Sequence, residues 1–270
     1  MSSSKRTPLS ERLVLITGAS AGIGASCARV FADEGSRLIL AARRSKLLEA
    51  MVPDLVSRGA PDVSIAEVDV RDRDRVAEWT RTLLEAGSIP DVLINNAGLS
   101  RGLAPLQEGE IGDWEEMIDT NVKGLLYITR ALLPHMVERN AGHVINLGST
   151  AGHLVYPGGN VYNATKFAVR ALTEAMNLDL VGTRVRVSSI DPGLVETEFS
   201  RVRFRGDSER ADRVYEGLTP LTPDDIADIV RYVAAAPPHV NILQTVVYPT
   251  DQRSPMVIHR TSPGISATSD

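Results

Sequence analysis

The chain has one cysteine, Cys27, among its 270 residues. No intrachain disulfide is possible, and a lone cysteine early in a helix reads as a small buried hydrophobe in a reducing, cytoplasmic setting. Positive charge is not in excess: 29 Lys+Arg face 34 Asp+Glu, for a net −5. No broad basic surface follows, so nucleic acid is not an expected partner. No apolar run reaches the roughly 18 residues that a membrane span needs. The five histidines (His135, His143, His153, His239, His259) fall at no metal-ligand spacing with one another or with Cys27, so no metal site is expected. Residues 1–11 are polar, with Lys5 and Arg6 but no apolar core behind them, and read as a flexible segment rather than a signal peptide.

What is present suffices for one domain, with 43% of the residues hydrophobic. No internal repeat and no linker divides it. The expected organisation is a single α/β domain over 12–250, then a C-terminal arm over 251–270 that ends in disorder.

Residues 12–16 read as a buried strand, and Ile23, Cys27, Val30 and Phe31 recur at helical spacing soon after. Between them lies Gly18-Ala19-Ser20-Ala21-Gly22-Ile23-Gly24. A glycine-rich turn from strand to helix lets backbone approach a pyrophosphate and aims free N–H groups at it. A plain tight turn is the competing reading. A second strand, 38–41, ends in Ala42-Arg43-Arg44. An acidic residue here would suit the ribose hydroxyls of NAD, whereas arginine suits the 2′-phosphate of NADP. NADP is therefore the expected cofactor.

Residues 63–68 and 91–94 read as the third and fourth strands, the latter followed by Asn95-Asn96-Ala97-Gly98 at the edge where open α/β sheets bind ligands. Arg71, Arg73 and Arg75 alternate with acids as a solvated helix start. A helix over 113–133 carries an apolar stripe through Met117, Ile118, Leu125, Ile128 and Leu132, with Asn121 set on that stripe. Such a buried amide is either a satisfied core residue or part of a site. A fifth strand, 144–147, leads to Ser149, which alone would be a turn former. Strands at 184–190 and 243–248 complete seven, and Thr222-Pro223-Asp224-Asp225 is a helix start with Thr222 as N-cap.

Tyr162 and Lys166 are four residues apart, hence one turn apart on one helix face. A cation beside a phenol lowers its pKa from about 10 and makes it an acid/base group for a substrate oxygen. A solvated helix face is the competing reading of this pair.

Taken in order, Thr17-Gly18-x-x-x-Gly22-Ile23-Gly24, Asn95-Asn96-Ala97-Gly98, Asn121, Ser149, Tyr162-x-x-x-Lys166 and Pro192-Gly193 resemble the short-chain dehydrogenase/reductase family over nearly the whole chain. The stretches 147–152, 158–162, 198–204 and 239–242 are similar to its NADP-dependent 3-hydroxy acid dehydrogenases, serine and allo-threonine dehydrogenases among them. The resemblance implies a Rossmann-like, doubly wound parallel sheet of seven strands in the order 3-2-1-4-5-6-7, helices on both faces, and a homotetramer. It implies Asn121, Ser149, Tyr162 and Lys166 as the catalytic set. Ser149 would hold the substrate oxygen and Tyr162 exchange its proton. Lys166 would lower the tyrosine pKa and bind the nicotinamide ribose, and Asn121 would hold a water linking Lys166 to solvent. Gly18, Ser20, Ala21, Gly22, Ile23 and Gly24 would face the cofactor's phosphates and ribose. Arg43 and Arg44 would take the 2′-phosphate, and Asp69 and Val70 the adenine. Asn95, Ala97 and Gly98 would line the groove, and Pro192, Gly193, Val195 and Thr197 cover the nicotinamide.

The expected substrate is a small hydroxy acid or ketone. A 3-hydroxy acid brings a carboxylate near the reacting carbon, which calls for an arginine. Arg203 is the candidate, with a solvated or subunit-contacting side chain as the competing reading, and His153 is a second candidate for the pocket. Bulkier ketones, 3-oxoacyl thioesters and a non-catalytic NADP-binding role remain the alternatives.

Overall fold

Strands buried on both faces need near-continuous apolar runs, and the chain supplies them. The computed structural model describes residues 6–261. Its strands are β1 (Leu13–Thr17), β2 (Arg37–Ala42), β3 (Val63–Glu67), β4 (Val92–Asn95), β5 (Gly142–Leu147), β6 (Val185–Pro192) and β7 (Gln244–Val247). All neighbours pair parallel in the order β3-β2-β1-β4-β5-β6-β7. This is the expected doubly wound, Rossmann-like arrangement. Every residue of β1 is buried, while β3 at the sheet's edge is only partly so. Winding reverses between β1 and β4, so a crevice opens above their carboxyl ends.

The helices are α1 (Gly22–Asp33), α2 (Ser45–Arg58), α3 (Arg73–Glu85), α4 (Ile111–Ile118), α5 (Leu125–Glu138), α6 (Asn160–Asp179), α7 (Phe199–Arg203), α8 (Ser208–Arg213) and α9 (Pro223–Ala234). Cys27 and Phe31 of α1, Leu48 and Leu55 of α2, and Ile226 and Val230 of α9 build the core on one face of the sheet. Val76 and Trp79 of α3 and Ile128, Leu132 and Met136 of α5 build it on the other. Thr222 Oγ1 accepts from the Asp225 N–H, and the Asp225 carboxylate accepts from the Thr222 N–H, so α9 begins with a reciprocal cap.

The helix expected over 113–133 is interrupted. Asp119–Gly124 winds as a π turn between α4 and α5. At its end a Cβ on Gly124 would stand 2.6 Å from Val70 Cγ2. The turn sends the Asn121 side chain to Leu99 and Thr165 rather than along a straight apolar stripe.

Of the segment expected to be loose at 1–11, residues 1–5 lie outside those described. Beyond them Thr7 donates its N–H to Ala235 O at 2.9 Å, and Leu9 is buried in the core. At the other end Gln252 is buried and Arg260 donates to Val214 O at 3.0 Å. Of the stretch 261–270 expected to be disordered, Thr261 instead donates its N–H to Gly217 O at 2.8 Å, and 262–270 lie outside the described residues. Among the described residues, no helix is long and apolar enough to cross a membrane and no cluster of potential metal ligands occurs.

Candidate active site

The glycine turn after β1 is shaped by close approach. Gly18 (φ +64°) and Gly22 (φ +53°) hold backbone conformations that side chains resist, and a Cβ on Gly18 would stand 2.9 Å from Ala97 Cα. Asn96 ties this turn to the end of β4, donating from Nδ2 to Thr17 O at 2.9 Å and to Gly18 O at 3.1 Å. Thr17 Oγ1 accepts the N–H groups of Asn96 and Ala97, both at 3.1 Å. No side chain caps α1, which leaves its first-turn N–H groups facing the crevice for an anion.

The crevice has a volume of about 580 Å³, within the range of small-molecule sites. It gathers most of the residues expected at the cofactor: Gly18, Ser20, Ala21, Gly22, Ile23, Arg43, Arg44, Asp69, Val70, Ala97, Gly98, Pro192, Gly193, Val195 and Thr197. The donor set fits NADP: N–H groups and glycines at one end, two arginines after β2, and no carboxylate at Ala42. Arg44 also reaches across the mouth, with Nη2 3.0 Å from Glu198 Oε2 and Nε 3.3 Å from Ser20 Oγ. Asp69 is occupied by its neighbour, Arg71 Nη2 lying 2.6 Å from Oδ2. Burial pushes the Asp69 carboxyl upward, but hydrogen bonds and charge from Arg71 outweigh it and hold the group below the usual carboxylate range. Arg71 is thus paired rather than part of a solvated run.

The catalytic candidates meet on the crevice's other wall. Ser149 follows β5 and opens the short 3₁₀ turn Thr150–Gly152, its Oγ accepting the Ala151 N–H at 3.1 Å. Tyr162 and Lys166 share one face of α6, and each is 7% exposed. Lys166 Nζ donates to Leu147 O at 2.8 Å. Arg203 of α7 lies over the Tyr162 ring, with Cζ 5.2 Å from its centroid and the same distance from the Phe199 ring. Its Nε donates to Ser100 Oγ at 3.0 Å and its Nη2 to Tyr156 OH at 3.1 Å.

The acidity of Tyr162 is set by opposing influences. Burial raises its pKa, and the Arg203 charge and a hydrogen bond from Ser149 offset only part of the rise. Lys166 Nζ stands 5.9 Å from the tyrosine ring centroid. Its own pKa is pulled down to about 8 by burial, against the charge of Asp191. Desolvation of the phenol therefore exceeds the combined effect of the Arg203 charge and the Ser149 hydrogen bond.

Four expected residues do not line the crevice. Gly24 is a packing position, where a Cβ would stand 2.5 Å from Gly18 O. Asn95 turns into the sheet, donating to Thr129 Oγ1 and Asn146 Oδ1, both at 2.9 Å. Asn121 accepts the Leu99 N–H at 2.8 Å and donates to Leu99 O at 2.8 Å and to Thr165 Oγ1 at 3.0 Å. His153 Nε2 lies 2.7 Å from Asp191 Oδ2 behind the wall. Conversely, Asn96, Tyr156, Phe199, Glu198, Tyr215 and Gln252 do line it. Asn96 could have been found from strand alternation, which sends it opposite Asn95. The others carry no local signal.

A family model described as short chain dehydrogenase matches residues 12–207. An NADP-dependent 3-hydroxy acid dehydrogenase of Salmonella typhi is 49% identical over 250 residues, 92% of this chain and 99% of that protein. Sulfoacetaldehyde reductase 2 of Chromohalobacter salexigens is 44% identical over 241 residues, 89% of this chain and 95% of that protein. Among solved structures, the closed form of serine dehydrogenase complexed with NADP+ superposes with a TM-score of 0.85 at 43% identity, covering 96% of this chain and 100% of the other.

Proposed function

The chain belongs to the short-chain dehydrogenase family, and from that premise we propose that it is an NADP-dependent oxidoreductase moving a hydride between nicotinamide and the 3-hydroxyl carbon of a small 3-hydroxy acid. The observation that carries the substrate class is Arg203, a guanidinium lining the crevice directly over the Tyr162 ring. An anion held there brings the adjacent carbinol to the phenol, and the hydrogen bonds to Ser100 and Tyr156 fix the guanidinium beforehand.

The nicotinamide supplies the hydride chemistry when bound. The chain's own groups do the rest. Ser149 Oγ orients the substrate oxygen, and Tyr162 gives that oxygen a proton as the phenol in reduction or takes one as the phenolate in oxidation. Lys166 holds positive charge behind the phenol. Arg43 and Arg44 meet the 2′-phosphate, and the glycine turn meets the pyrophosphate. A sulfonate in place of the carboxylate is the second reading. The 44% identical sulfoacetaldehyde reductase favours it, because the same arginine suits either anion.

We carry the homotetramer and the cytoplasmic setting as part of this reading. Exposed Leu126, Phe167 and Leu178 support self-association. The reducing setting rests on the use of cysteine, Cys27 being free and buried.

An NADP-coupled screen over serine, the threonine isomers, 3-hydroxyisobutyrate, simple secondary alcohols and 3-oxoacyl thioesters tests the assignment. Turnover of the free acids is expected, with Arg203→Ala raising KM about 10- to 150-fold, the worth of a lost charged hydrogen bond. Turnover of thioesters with inert acids would move the assignment to the carrier-bound class. Tight NADPH binding without any turnover would leave a sensor.

A further inference from the structure

The scheme above leaves one buried charge unused. Asp191, near the end of β6, is 1% exposed. A carboxylate so far from water persists only with donors around it. It has two: Ser189 Oγ on Oδ1 and His153 Nε2 on Oδ2, the latter at 2.7 Å. On its remaining side is the catalytic turn. A Cβ on Gly148 would collide with Asp191 Oδ1. The carboxylate therefore lies against the backbone between Leu147, whose carbonyl accepts from Lys166, and Ser149. The turn is pinned from α6 as well, because a Cβ on Gly152 would stand 2.6 Å from the carbonyl oxygen of Lys166 itself.

His153 follows that turn and closes the ring of contacts. Its Nδ1 is 3.4 Å from Arg170 Nη1. A guanidinium only donates, so Nδ1 accepts and Nε2 carries the hydrogen given to Asp191. Arg170 Nε donates to Glu174 at 3.0 Å, and Glu174 accepts from Gln244 Nε2 at 3.1 Å. The charged groups around the histidine are thus Asp191 from β6, and Lys166, Arg170 and Glu174 from α6.

We propose that Asp191 and His153 are positioning residues for the catalytic centre: the buried carboxylate fixes the turn bearing Ser149 and faces Lys166 from behind that turn, and His153 supplies the hydrogen bond that holds the carboxylate in place. Burial alone drives Lys166 toward its neutral form, and Asp191 opposes that fall. The inference rests on the dehydrogenase reading for the reaction affected, but not for the state of the lysine.

Two measurements on the full chain test it. One follows acylation of Lys166 by acetic anhydride against pH in cofactor-free protein, read by peptide mass spectrometry. The other follows the alkaline limb of kcat/KM for NADPH-dependent reduction. His153→Leu and Asp191→Asn are each expected to lower the acylation midpoint and the limb by about half a pH unit or more. His153→Gln, which can still donate to Oδ2, returns both to the parent positions. Coincident midpoints in parent, His153→Leu and Asp191→Asn overturn the inference. His153 is part-exposed, so its variants decide the matter should Asp191→Asn not fold. A shifted acylation midpoint in protein that turns over no hydroxy acid supports the inference and removes the substrate reading.

Discussion

In the proposed reaction Tyr162 switches between donor and acceptor, and its surroundings bias it toward the donor. Burial raises its pKa, and Arg203 and Ser149 draw it part of the way back. Alcohol oxidation needs the phenolate, so its rate climbs as pH rises through that pKa. Arg203→Ala removes one of the two opposing influences, and the rising limb is expected to move to higher pH. Arg203→Lys keeps the charge and moves it less, although KM still rises because the planar fork is gone. pH profiles of kcat measured with saturating acid separate the two effects. Tyr162→Phe is expected to lower kcat about 10²- to 10⁴-fold with the fold intact by circular dichroism. The Tyr162/Lys166 spacing, Ser149 and Arg203 were legible as candidates because each is a residue type at a recognisable place. The direction of the tyrosine shift was not, since it sums burial against a charge contributed by α7 and a hydrogen bond contributed by the turn after β5.

At the scale of elements, the strands and most helices follow from apolar runs and capping residues. Thr222-Pro223-Asp224-Asp225 could be read directly as the start of α9. The π turn at Asp119–Gly124 could not, because Met117, Leu125 and Ile128 repeat as they would along an unbroken helix. Its role is structural as well as local. Asn121→Ala strands the N–H and carbonyl of Leu99 without partners, and at about 1–3 kcal/mol for each buried group a marked fall in Tm is expected on thermal melting. Within β5, His143 is buried with Nε2 2.7 Å from Ser188 Oγ, and its Nδ1 has no partner among the described residues. Burial first, then the Arg186 charge, holds its pKa well below the ordinary histidine value. Above about pH 6.5 the group is neutral folded or unfolded. Below it the unfolded chain gains a proton that the fold refuses, so stability falls as pH drops from 7 to 5. Urea midpoints at the two pH values check this, and His143→Gln is expected to lose less.

Over the whole molecule, the sheet order sets the site, and that order came from resemblance rather than from any strand's own pattern. Nor could the sequence reveal that the described parts of both ends are tied down, Thr7 to Ala235 and Gln252 beneath the backbone of Leu194. Arg44→Ala is expected to lower kcat/KM with NADP about 10- to 100-fold, the worth of a charge-assisted bond, and to change NAD little. Initial rates with the two cofactors check it. The Arg44–Glu198 pair is about half exposed, so it contributes only about 0–1 kcal/mol to stability and yields readily to a phosphate. Glu198 immediately precedes α7, which carries Phe199 and Arg203. Anyone redesigning the chain for the unphosphorylated coenzyme therefore also removes a weak strap between the two rims of the crevice, since Arg44→Ala leaves Glu198, the residue just before α7, without its partner across the mouth.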